Sequence, residues 1–460
     1  MNQLSYLLQH APPGTDKVLH AFALAECLTD HVARPLYETV PVPGLAFGDF
    51  VSALRYSDIY EPRNSEWNIA ESARQELNAK SALSADETKK VHALLLKAAA
   101  VGDKTKAGWE TPHYLFTDAG LAYHKAAVGE IEPALQHYSN CSRGNYRGNQ
   151  WLGAKFAEKQ EQEGIIPPGS IETLFLRAMV LFKTGGRRKA MPMLRTVASS
   201  EKRQREVAIA LHITANEDTH RHRYKEAEAA YLRSIEIGKV INHHHHVAQT
   251  EHSLANMYAR QHRYEQAELR YLRSIEMLGA LRDPFGVAQT EHSLANMYAR
   301  QRRYEQAELL YLRSIEMLGA LRDPFGVAQT EHSLANMYAR QKRYKEAEAA
   351  YIRSIKMDDE LGNRFGVAQT EHSLANMYAR QQRYDEAKAA YLRSIEIGRN
   401  LGKDRHLAQV YRSYALLLQD VDPDEALWFL EESLRLNKKF RNRRGIQIVQ
   451  KSIGKLKRKN

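Results

Sequence analysis

The chain has few cysteines and no long apolar segment. Only two of its 460 residues are cysteines, Cys27 and Cys141, which excludes a disulfide-rich scaffold and favours a reducing compartment. Nowhere is there a run of about 18 apolar residues, the length that a membrane-spanning helix requires. The first residues also lack the basic, apolar and small-residue segments of a secretory signal. The sequence therefore predicts a cytoplasmic protein.

The motifs of common enzymes and cofactor sites are absent as well. There is no G-x-x-x-x-G-K-[ST] phosphate loop, and Gly102-Asp103-Lys104 lacks the glycine spacing that surrounds a phosphate. No G-x-S-x-G, H-E-x-x-H or glycine-rich dinucleotide loop is found either. We therefore predict no enzymatic activity, no catalytic residue and no cofactor.

The chain carries 20 histidines, yet their spacing does not predict a metal site. One histidine recurs every 40 residues, and equivalent side chains of stacked helices lie about 10 Å apart, too far to share an ion with bonds of about 2 Å. The run His243–His246 is predicted to lie in a loop between repeats, where it could bind metal adventitiously.

Positive charge is concentrated at one end. The net charge is +11, and residues 435–459 hold eleven Lys/Arg and no acidic residue, so the remainder is nearly neutral. Because nucleic-acid-binding proteins usually spread basic residues along a face, we do not expect nucleic-acid binding. An amphipathic helix is predicted here, because apolar residues recur at spacings of three, four and three, namely Ile446, Val449, Ile453 and Leu456. It is interpreted as a cap on the last repeat; contact with an acidic partner, a membrane surface or RNA is the alternative.

The most informative feature of the sequence is an internal repeat of 40 residues. The segment GVAQTEHSLANMYARQ begins at Gly286, Gly326 and Gly366, and a fourth copy without the glycine begins at Val247. A period of this length predicts a solenoid, in which each unit buries its apolar face only against its neighbours.

Each repeat reads as two helices. A first helix over 287–301, the A helix, places Leu294 and Tyr298 on one face. A second helix, the B helix, is predicted to end near Pro324, because proline disfavours helical geometry in the residue before it. The face of the B helix that packs in the interior consists of residues spaced by four, three and four, namely Ala307, Tyr311, Ser314 and Leu318.

This pattern resembles the tetratricopeptide repeat. The family's small and aromatic positions fall on Leu294, Ala295, Tyr298, Tyr304, Ala307, Tyr311 and Ser314. Alanine replaces the usual glycine of the A helix, and the period of 40 rather than 34 is similar to the longer repeats of kinesin light chains and of large signalling proteins. The resemblance implies an all-α, superhelical solenoid of antiparallel helix pairs.

Four segments are predicted along the chain. Residues 1–109 form a small helical module that resembles the winged-helix module of STAND signalling NTPases. Residues 110–206 form degenerate helical hairpins, and residues 207–436 form the repeat array, whose four near-identical repeats occupy 247–406. Residues 437–460 form the basic capping helix. The winged-helix-like module has no basic face, which disfavours DNA binding.

Polar residues share one side of the predicted A helix. Gln289, His292, Asn296 and Arg300 fall within about 80° of one another, opposite Leu294 and Tyr298, at about 100° per residue. The resemblance implies that this side faces a groove for a partner. We call the predicted partner-binding set the A-helix stripe. It comprises Gln249, Asn256, Arg260, Gln289, His292, Asn296, Arg300, Gln329, Asn336, Arg340, Gln369, Asn376 and Arg380.

The chemistry of the A-helix stripe suits an extended acidic peptide. Asparagine donates to and accepts from a peptide backbone, and arginine offers a forked donor to carboxylates. The alternative is a solvated face on which the arginines pair with residues such as Glu291. Recent duplication could also have copied these residues regardless of their use.

The sequence thus favours a non-catalytic scaffold or adaptor that binds an extended acidic segment of a partner protein. The alternative function is a sensor or regulatory subunit of a STAND-like signalling or defence system in bacteria. A third interpretation, nucleic-acid binding through the basic end, has less support. The identity of the partner and the oligomeric state do not follow from the sequence.

Overall fold

The computed structural model describes most of the chain. Cys27 and the predicted boundary at 109/110 lie outside the described residues. The chain divides into two compact units, residues 1–242 and 243–460. The described residues are 4, 8–9, 11–25, 28–55, 57, 60–63, 66–80, 82–101, 117–141, 147–202 and 204–459.

The first unit begins with a small module of helices and one β-hairpin. Its elements are α1 (Thr15–Ala23), α2 (Asp30–Thr39), α3 (Phe47–Arg55), β1 (Tyr60–Arg63), β2 (Glu66–Ile69), α4 (Glu71–Lys80) and α5 (Ala85–Val101). The two strands are antiparallel, with Tyr60 opposite Ile69. Residues 61–63 pair with residues 66–68 of β2, so the module is not purely helical as the sequence predicts.

In this module the β-hairpin follows helices α1 to α3, and the likeness of the module to a winged helix stays a prediction. Leu28, between α1 and α2, forms a bridge to Trp67 in β2, so the hairpin is joined to the start of the module. The Trp67 ring packs edge-on against Phe22, and its indole nitrogen donates to Asp30 at 2.9 Å. The expected winged-helix-like module thus has a buried aromatic core around Trp67.

The rest of the first unit consists of helices. These are α6 (Asp118–Ala127), α7 (Ile131–Cys141), α8 (Arg147–Gln162), α9 (Ile171–Lys183), α10 (Arg187–Ser199), α11 (Arg205–His220) and α12 (Tyr224–Val240). The pairs α6/α7 and α9/α10 are the predicted degenerate hairpins. Cys141 is buried at the end of α7, and burial raises the pKa of its thiol, as expected for an unreactive cysteine.

The second unit is a stack of helices that follows the 40-residue period. Its elements are α13 (His244–Arg260), α14 (Tyr264–Ala280), α15 (Pro284–Arg300), α16 (Tyr304–Ala320), α17 (Pro324–Arg340), α18 (Tyr344–Glu360), α19 (Arg364–Arg380), α20 (Tyr384–Asn400), α21 (Asp404–Leu418), α22 (Pro423–Lys439) and α23 (Arg443–Lys459). The A helices of the four near-identical repeats are α13, α15, α17 and α19. Their B helices are α14, α16, α18 and α20.

The starts of the A helices correct two predictions. Pro324 is the first residue of α17, where a missing N–H costs nothing, and the Asp323 side chain accepts from the N–H of Gly326 at 3.1 Å. Pro324 and Phe325 therefore belong to α17, and the break between the helices is confined to residues 321–323. The same holds for His244–His246, which form the first turn of α13 and not an inter-repeat loop.

Small and aromatic residues hold each helix pair together. Leu294 and Tyr298 are buried, as predicted. The Ser314 hydroxyl of the B helix donates to the Ala288 carbonyl of the A helix at 2.9 Å, and Ala307 allows close approach because it is small. Successive A helices contact one another more closely than successive B helices do. The A helices thus lie on the inner side of the stack within residues 243–460.

The last helix, α23, packs on α22. Val449 and Leu456 are buried in this contact, which agrees with a cap on the final repeat. Among the described residues, no helix is long and apolar enough to cross a membrane.

Candidate functional site

The A-helix stripe lies on the surface of the inner helices. Its glutamines and arginines are exposed in all four repeats, and its asparagines and His292 are half-buried. Leu294 and Tyr298, on the opposite side of α15, are buried. The helix therefore separates a packing side from a polar side, as its sequence predicts.

Each asparagine of the A-helix stripe is held by a tyrosine of its own repeat. The Tyr311 hydroxyl donates to Asn296 Oδ1 at 2.9 Å. The same bond joins Tyr271 to Asn256 at 2.7 Å and recurs in the third and fourth repeats. The bond uses one of the two lone pairs of the amide oxygen, so the oxygen can accept a second hydrogen bond. In Asn376 the NH2 group also donates to the His372 carbonyl at 2.7 Å. That these asparagines donate to and accept from a peptide stays a prediction.

The four arginines of the A-helix stripe form no ion pair within the described part of the chain. They nevertheless lie near the tyrosine–asparagine bonds. Burial raises the pKa of Tyr271, while the positive charges of Arg300 and Arg260 lower it. Arginines of two consecutive repeats therefore act on one tyrosine hydroxyl, and the inner surface presents a row of positive charges.

The buried glutamates of the A helices do not neutralise these arginines. Glu291 pairs with Arg313 of helix α16 at 2.9 Å. The alternative interpretation, in which Glu291 pairs with the arginines of the A-helix stripe, is thus wrong. The equivalent pairs are Glu331–Arg353 and Glu371–Arg393. In the first repeat Glu251 pairs instead with Arg270, which precedes the equivalent Arg273 by one turn of the helix.

His292 lies between two repeats. Its Nδ1 is 2.9 Å from Thr330 Oγ1 in the next A helix, and the Thr330 hydroxyl itself donates to the Gly326 carbonyl at 2.9 Å. The threonine oxygen is therefore the acceptor and Nδ1 carries the hydrogen. Burial lowers the pKa of His292 to about 4, so the ring is neutral at pH 7. A direct contact of His292 with a partner stays a prediction.

A second set of contacts between repeats was not predicted from the sequence. Tyr298 donates to Glu268 Oε1 of the preceding B helix at 2.6 Å, and Arg303 Nη1 donates to Glu268 Oε2 at 2.6 Å. The Arg303 guanidinium lies 4.0 Å above the Tyr298 ring. The contact recurs in the next two repeats. Its only signal in the sequence is that the three residues recur together every 40 positions.

A cavity of about 390 Å³ lies beside the A-helix stripe. It is lined by Gln329 and Gln369 of the stripe, by Gln409 of α21 and by His372. Asp358, at the end of helix α18, also lines it and is 5% exposed. The sequence analysis did not single out this aspartate.

Histidine-rich segments do not form a metal centre in the part of the chain that the structure describes. His245 Nε2 lies 2.9 Å from Asp283 Oδ2, and the rings of His243 and His246 stack with centroids 5.4 Å apart. Across the described ranges, no group of three or more His, Cys, Asp or Glu side chains is arranged to hold a metal ion.

The period, the helix pairs and their packing side now identify the family. The model of the tetratricopeptide repeat matches residues 207–280, 286–360 and 366–439. These residues form tetratricopeptide repeats. Each matched segment contains two consecutive helix pairs. A search of curated protein sequences finds no match.

Solved structures with the same fold include two sensors. A Signal Transduction ATPase with Numerous Domains (STAND) from Pyrococcus horikoshii, which has a tetratricopeptide repeat sensor, is 15% identical, and the alignment covers 98% of this chain and 66% of that chain with a TM-score of 0.57. The apo quorum sensor NprR from B. thuringiensis is 15% identical, with 70% of this chain and 91% of that chain covered and a TM-score of 0.51.

A protein from Podospora anserina described as a kinesin light chain with nearly identical TPR-like repeats is also similar. It is 15% identical, and the alignment covers 42% of this chain and 95% of that chain with a TM-score of 0.37. At these identities the likeness concerns the fold alone. This chain spans about two thirds of the length of the STAND protein.

Proposed function

We propose that the chain is a non-catalytic scaffold or adaptor of the cytoplasm that binds an extended acidic segment of a partner protein along the A-helix stripe. The observation that carries this proposal is the row of exposed arginines without an ion pair, at Arg260, Arg300, Arg340 and Arg380. In the first three repeats an asparagine whose NH2 group makes no hydrogen bond within the described residues accompanies the arginine, whereas Asn376 Nδ2 of the fourth repeat donates to the His372 carbonyl at 2.7 Å.

The geometry suits an extended ligand because the donors recur once per repeat. A peptide that runs along the inner helices meets the same arginine and asparagine in each repeat, so its carboxylates and carbonyls find equivalent donors. Charged hydrogen bonds of this kind contribute roughly 1.5–3 kcal/mol each. Exposed charges are screened, and added salt therefore weakens the binding.

The test measures fluorescence polarisation of labelled short peptides rich in Glu and Asp. Matched peptides with Gln and Asn in the same places serve as the neutral reference. We expect the acidic peptides to bind more tightly than the neutral ones. Replacing Arg300 and Arg340 by Gln should weaken acidic-peptide binding roughly tenfold or more without lowering the melting temperature, because neither arginine holds a partner in the fold.

The chain itself offers a matched control. Arg302→Gln with Lys342→Gln removes the same charge from the neighbouring turns, and Gln382 already occupies the equivalent position of the fourth repeat. We expect this variant to bind like the wild type. Equal losses in both variants, or no preference for acidic peptides, would show that the stripe is only a solvated surface.

A second candidate function is a sensor or regulatory subunit of a STAND-like system. It is favoured because one chain combines the N-terminal hairpin module with the repeats. The alignment with the STAND protein covers 98% of this chain and 66% of that chain. In this case residues 1–109 contact an effector. Removing them should then abolish signalling while acidic peptides still bind. Loss of peptide binding in that truncated chain would contradict the assignment of effector contact to residues 1–109 and of peptide binding to the repeats.

A further inference from the structure

One residue breaks the repeat at the cavity beside the A-helix stripe. Leu278 and Leu318 occupy the same position in the first two repeats and are buried at 3% and 2% exposure. In the third repeat this position is Asp358, which is buried to the same extent at 5% exposure. A carboxylate therefore stands where the first two repeats place an apolar core side chain and the fourth has Gly398. Burying an unpaired charge destabilises a fold.

A second change accompanies it. Asp283 and Asp323 cap the A helices of the second and third repeats by accepting from a glycine N–H, and Asn363 replaces them in the fourth. Asn363 Oδ1 still accepts from the N–H of Gly366 at 3.2 Å, while its Nδ2 donates to Asp358 Oδ1 at 2.7 Å. Helix capping is therefore complete without Asp358. The asparagine keeps the cap and also removes a second carboxylate from the neighbourhood of Asp358.

The cavity around Asp358 is polar, and Asp358 is the acidic residue of its lining. Burial raises the pKa of this carboxyl, and the hydrogen bond from Asn363 lowers it. The other polar lining of the cavity includes the amides of Gln329, Gln369 and Gln409 and the ring of His372. Burial lowers the pKa of His372 to about 4, so this ring is neutral at pH 7. Among the residues that line the cavity, none is a lysine or an arginine. This distinguishes it from the arginine-rich surface beside it.

The size and lining of the cavity restrict what it can hold. A volume of about 390 Å³ is at the small end of ligand pockets and fits one long side chain or one chain end. Amide oxygens and a carboxylate accept hydrogen bonds, and an ammonium group supplies three donors. A cation here compensates the charge of Asp358, which an apolar or anionic group does not.

We propose that this cavity binds an ammonium group of the bound segment through Asp358, either a lysine side chain or the α-ammonium of a peptide. The inference rests on the proposed function, because Gln329 and Gln369 belong to both the cavity and the A-helix stripe. It adds a position-specific requirement: an otherwise acidic segment carries one cationic group, placed between the third and fourth repeats.

The first test uses n-butylammonium chloride, with n-butanol as the neutral probe of similar shape. Binding to the full chain is measured by saturation-transfer NMR and titration. The variant Asp358→Leu with Asn363→Asp restores the residues of the second repeat at both positions, so its fold has a precedent in the same chain. Asp358→Asn is the second variant and changes only the charge.

We expect n-butylammonium to bind the wild type in preference to n-butanol, and its affinity to fall roughly tenfold or more in both variants. The Leu/Asp variant should also melt at a higher temperature, because an apolar side chain replaces a buried charge. Equal binding of the two probes to the wild type, or unchanged binding of n-butylammonium to either folded variant, would overturn the proposal.

The second test uses the labelled acidic peptides and identifies the source of the ammonium group. The acetylated peptides are made in two forms, one with a single lysine and one with norleucine in the same place. A further version of each peptide is left unacetylated, so that its amino terminus is free. A preference for lysine or for the free terminus that disappears in Asp358→Asn supports the proposal.

The two proposals fail differently. If acidic peptides bind in an Arg300-dependent manner but lysine, norleucine and the free terminus make no difference, the cavity proposal is wrong and the proposed function stands. If n-butylammonium binds through Asp358 but no acidic peptide does, the proposed function is wrong and the cavity remains a cation site.

Discussion

At the scale of single residues, the asparagines of the A-helix stripe combine two tasks. Asn296 accepts the hydrogen bond of the buried Tyr311 hydroxyl, and its NH2 group is left to donate to a partner. The bond to Tyr311 is the structural task, and donation to a partner is the proposed one. A substitution of asparagine therefore changes stability as well as binding.

Replacing Asn296 with Ala leaves the Tyr311 hydroxyl without its acceptor. We expect a loss of about 1–3 kcal/mol in the free energy of unfolding, the cost of an unsatisfied buried polar group. Adding Tyr311→Phe removes that hydroxyl, so the double variant should regain part of the loss. Urea unfolding of the four chains gives the coupling energy. Strictly additive effects would contradict the role of the bond.

Tyr298 and Arg302 test the packing side of the helix. Tyr298→Ala removes a buried ring that also contacts Glu268, and should lower the free energy of unfolding by about 3–5 kcal/mol. Arg302→Gln, in an exposed turn, should change it by less than about 0.5 kcal/mol. Chemical denaturation of the full chain compares them. Similar unfolding midpoints for the two variants would mean that the packing side is assigned incorrectly.

At the scale of elements, a row of histidines joins successive A helices. His252, His292 and His332 each contact a threonine of the next A helix at 2.8–3.0 Å, and His372 contacts Ser413 at 3.1 Å. Burial lowers the pKa of each of these four histidines to about 4. These four rings are therefore neutral in the folded chain at pH 7.

This row predicts that the array loses stability in mild acid. The unfolded chain takes up protons near pH 6.5 and the folded chain only near pH 4, so the stabilisation is complete above pH 6.5 and is lost as the pH falls towards 4. One histidine contributes at most about 3 kcal/mol, at roughly 1.4 kcal/mol per pKa unit. Urea unfolding between pH 8 and pH 4 measures the effect.

The matched variant is His292→Gln, which keeps a polar side chain but does not titrate. Its free energy of unfolding should fall less than that of the wild type between pH 6.5 and pH 4. Other buried histidines remain in both chains, so the difference between the two curves isolates His292. Superimposable curves would show that His292 has the same pKa in the folded and unfolded chains, and would contradict the prediction.

At the scale of the whole molecule, consecutive repeats have nearly the same sequence and stack in the same way. Residues 247–286 and 287–326 differ at only two positions, His262/Arg302 and Arg270/Leu310. Stability in such stacks is approximately a sum of contributions from repeats and from contacts between neighbours. The molecule should therefore tolerate the loss of a complete repeat better than the loss of a single helix.

Deleting residues 287–326 should leave a folded chain with one repeat fewer. Gly286 is then followed by Val327, and the same Gly–Val junction connects other repeats. Circular dichroism and gel filtration should show a helical monodisperse protein, with weaker binding of acidic peptides because one arginine and one asparagine are lost. Deleting residues 304–323, one B helix and its link, should cause aggregation or unfolding. Equal behaviour of both deletions would contradict a modular stack.

Local periodicity made much of the fold predictable. The spacing of Leu294 and Tyr298 identified the packing side of the A helix, because a helix turns by about 100° per residue whatever its surroundings. The prediction was less accurate at element ends. Proline near a boundary fits the end of one helix or the start of the next, and only the Asp323 cap shows that Pro324 starts α17.

The sequence by itself determined the repeat, its helix pairs, the buried side of each helix and the polar composition of the A-helix stripe, because each depends on spacing within one helix pair. The tertiary structure decided which partners these side chains have. Arg303 and Glu268 are 35 residues apart and meet only because the repeats stack. Residues of successive repeats likewise form the cavity beside Asp358. Contacts between repeats depend on their distance and rotation, which no spacing within one helix pair specifies.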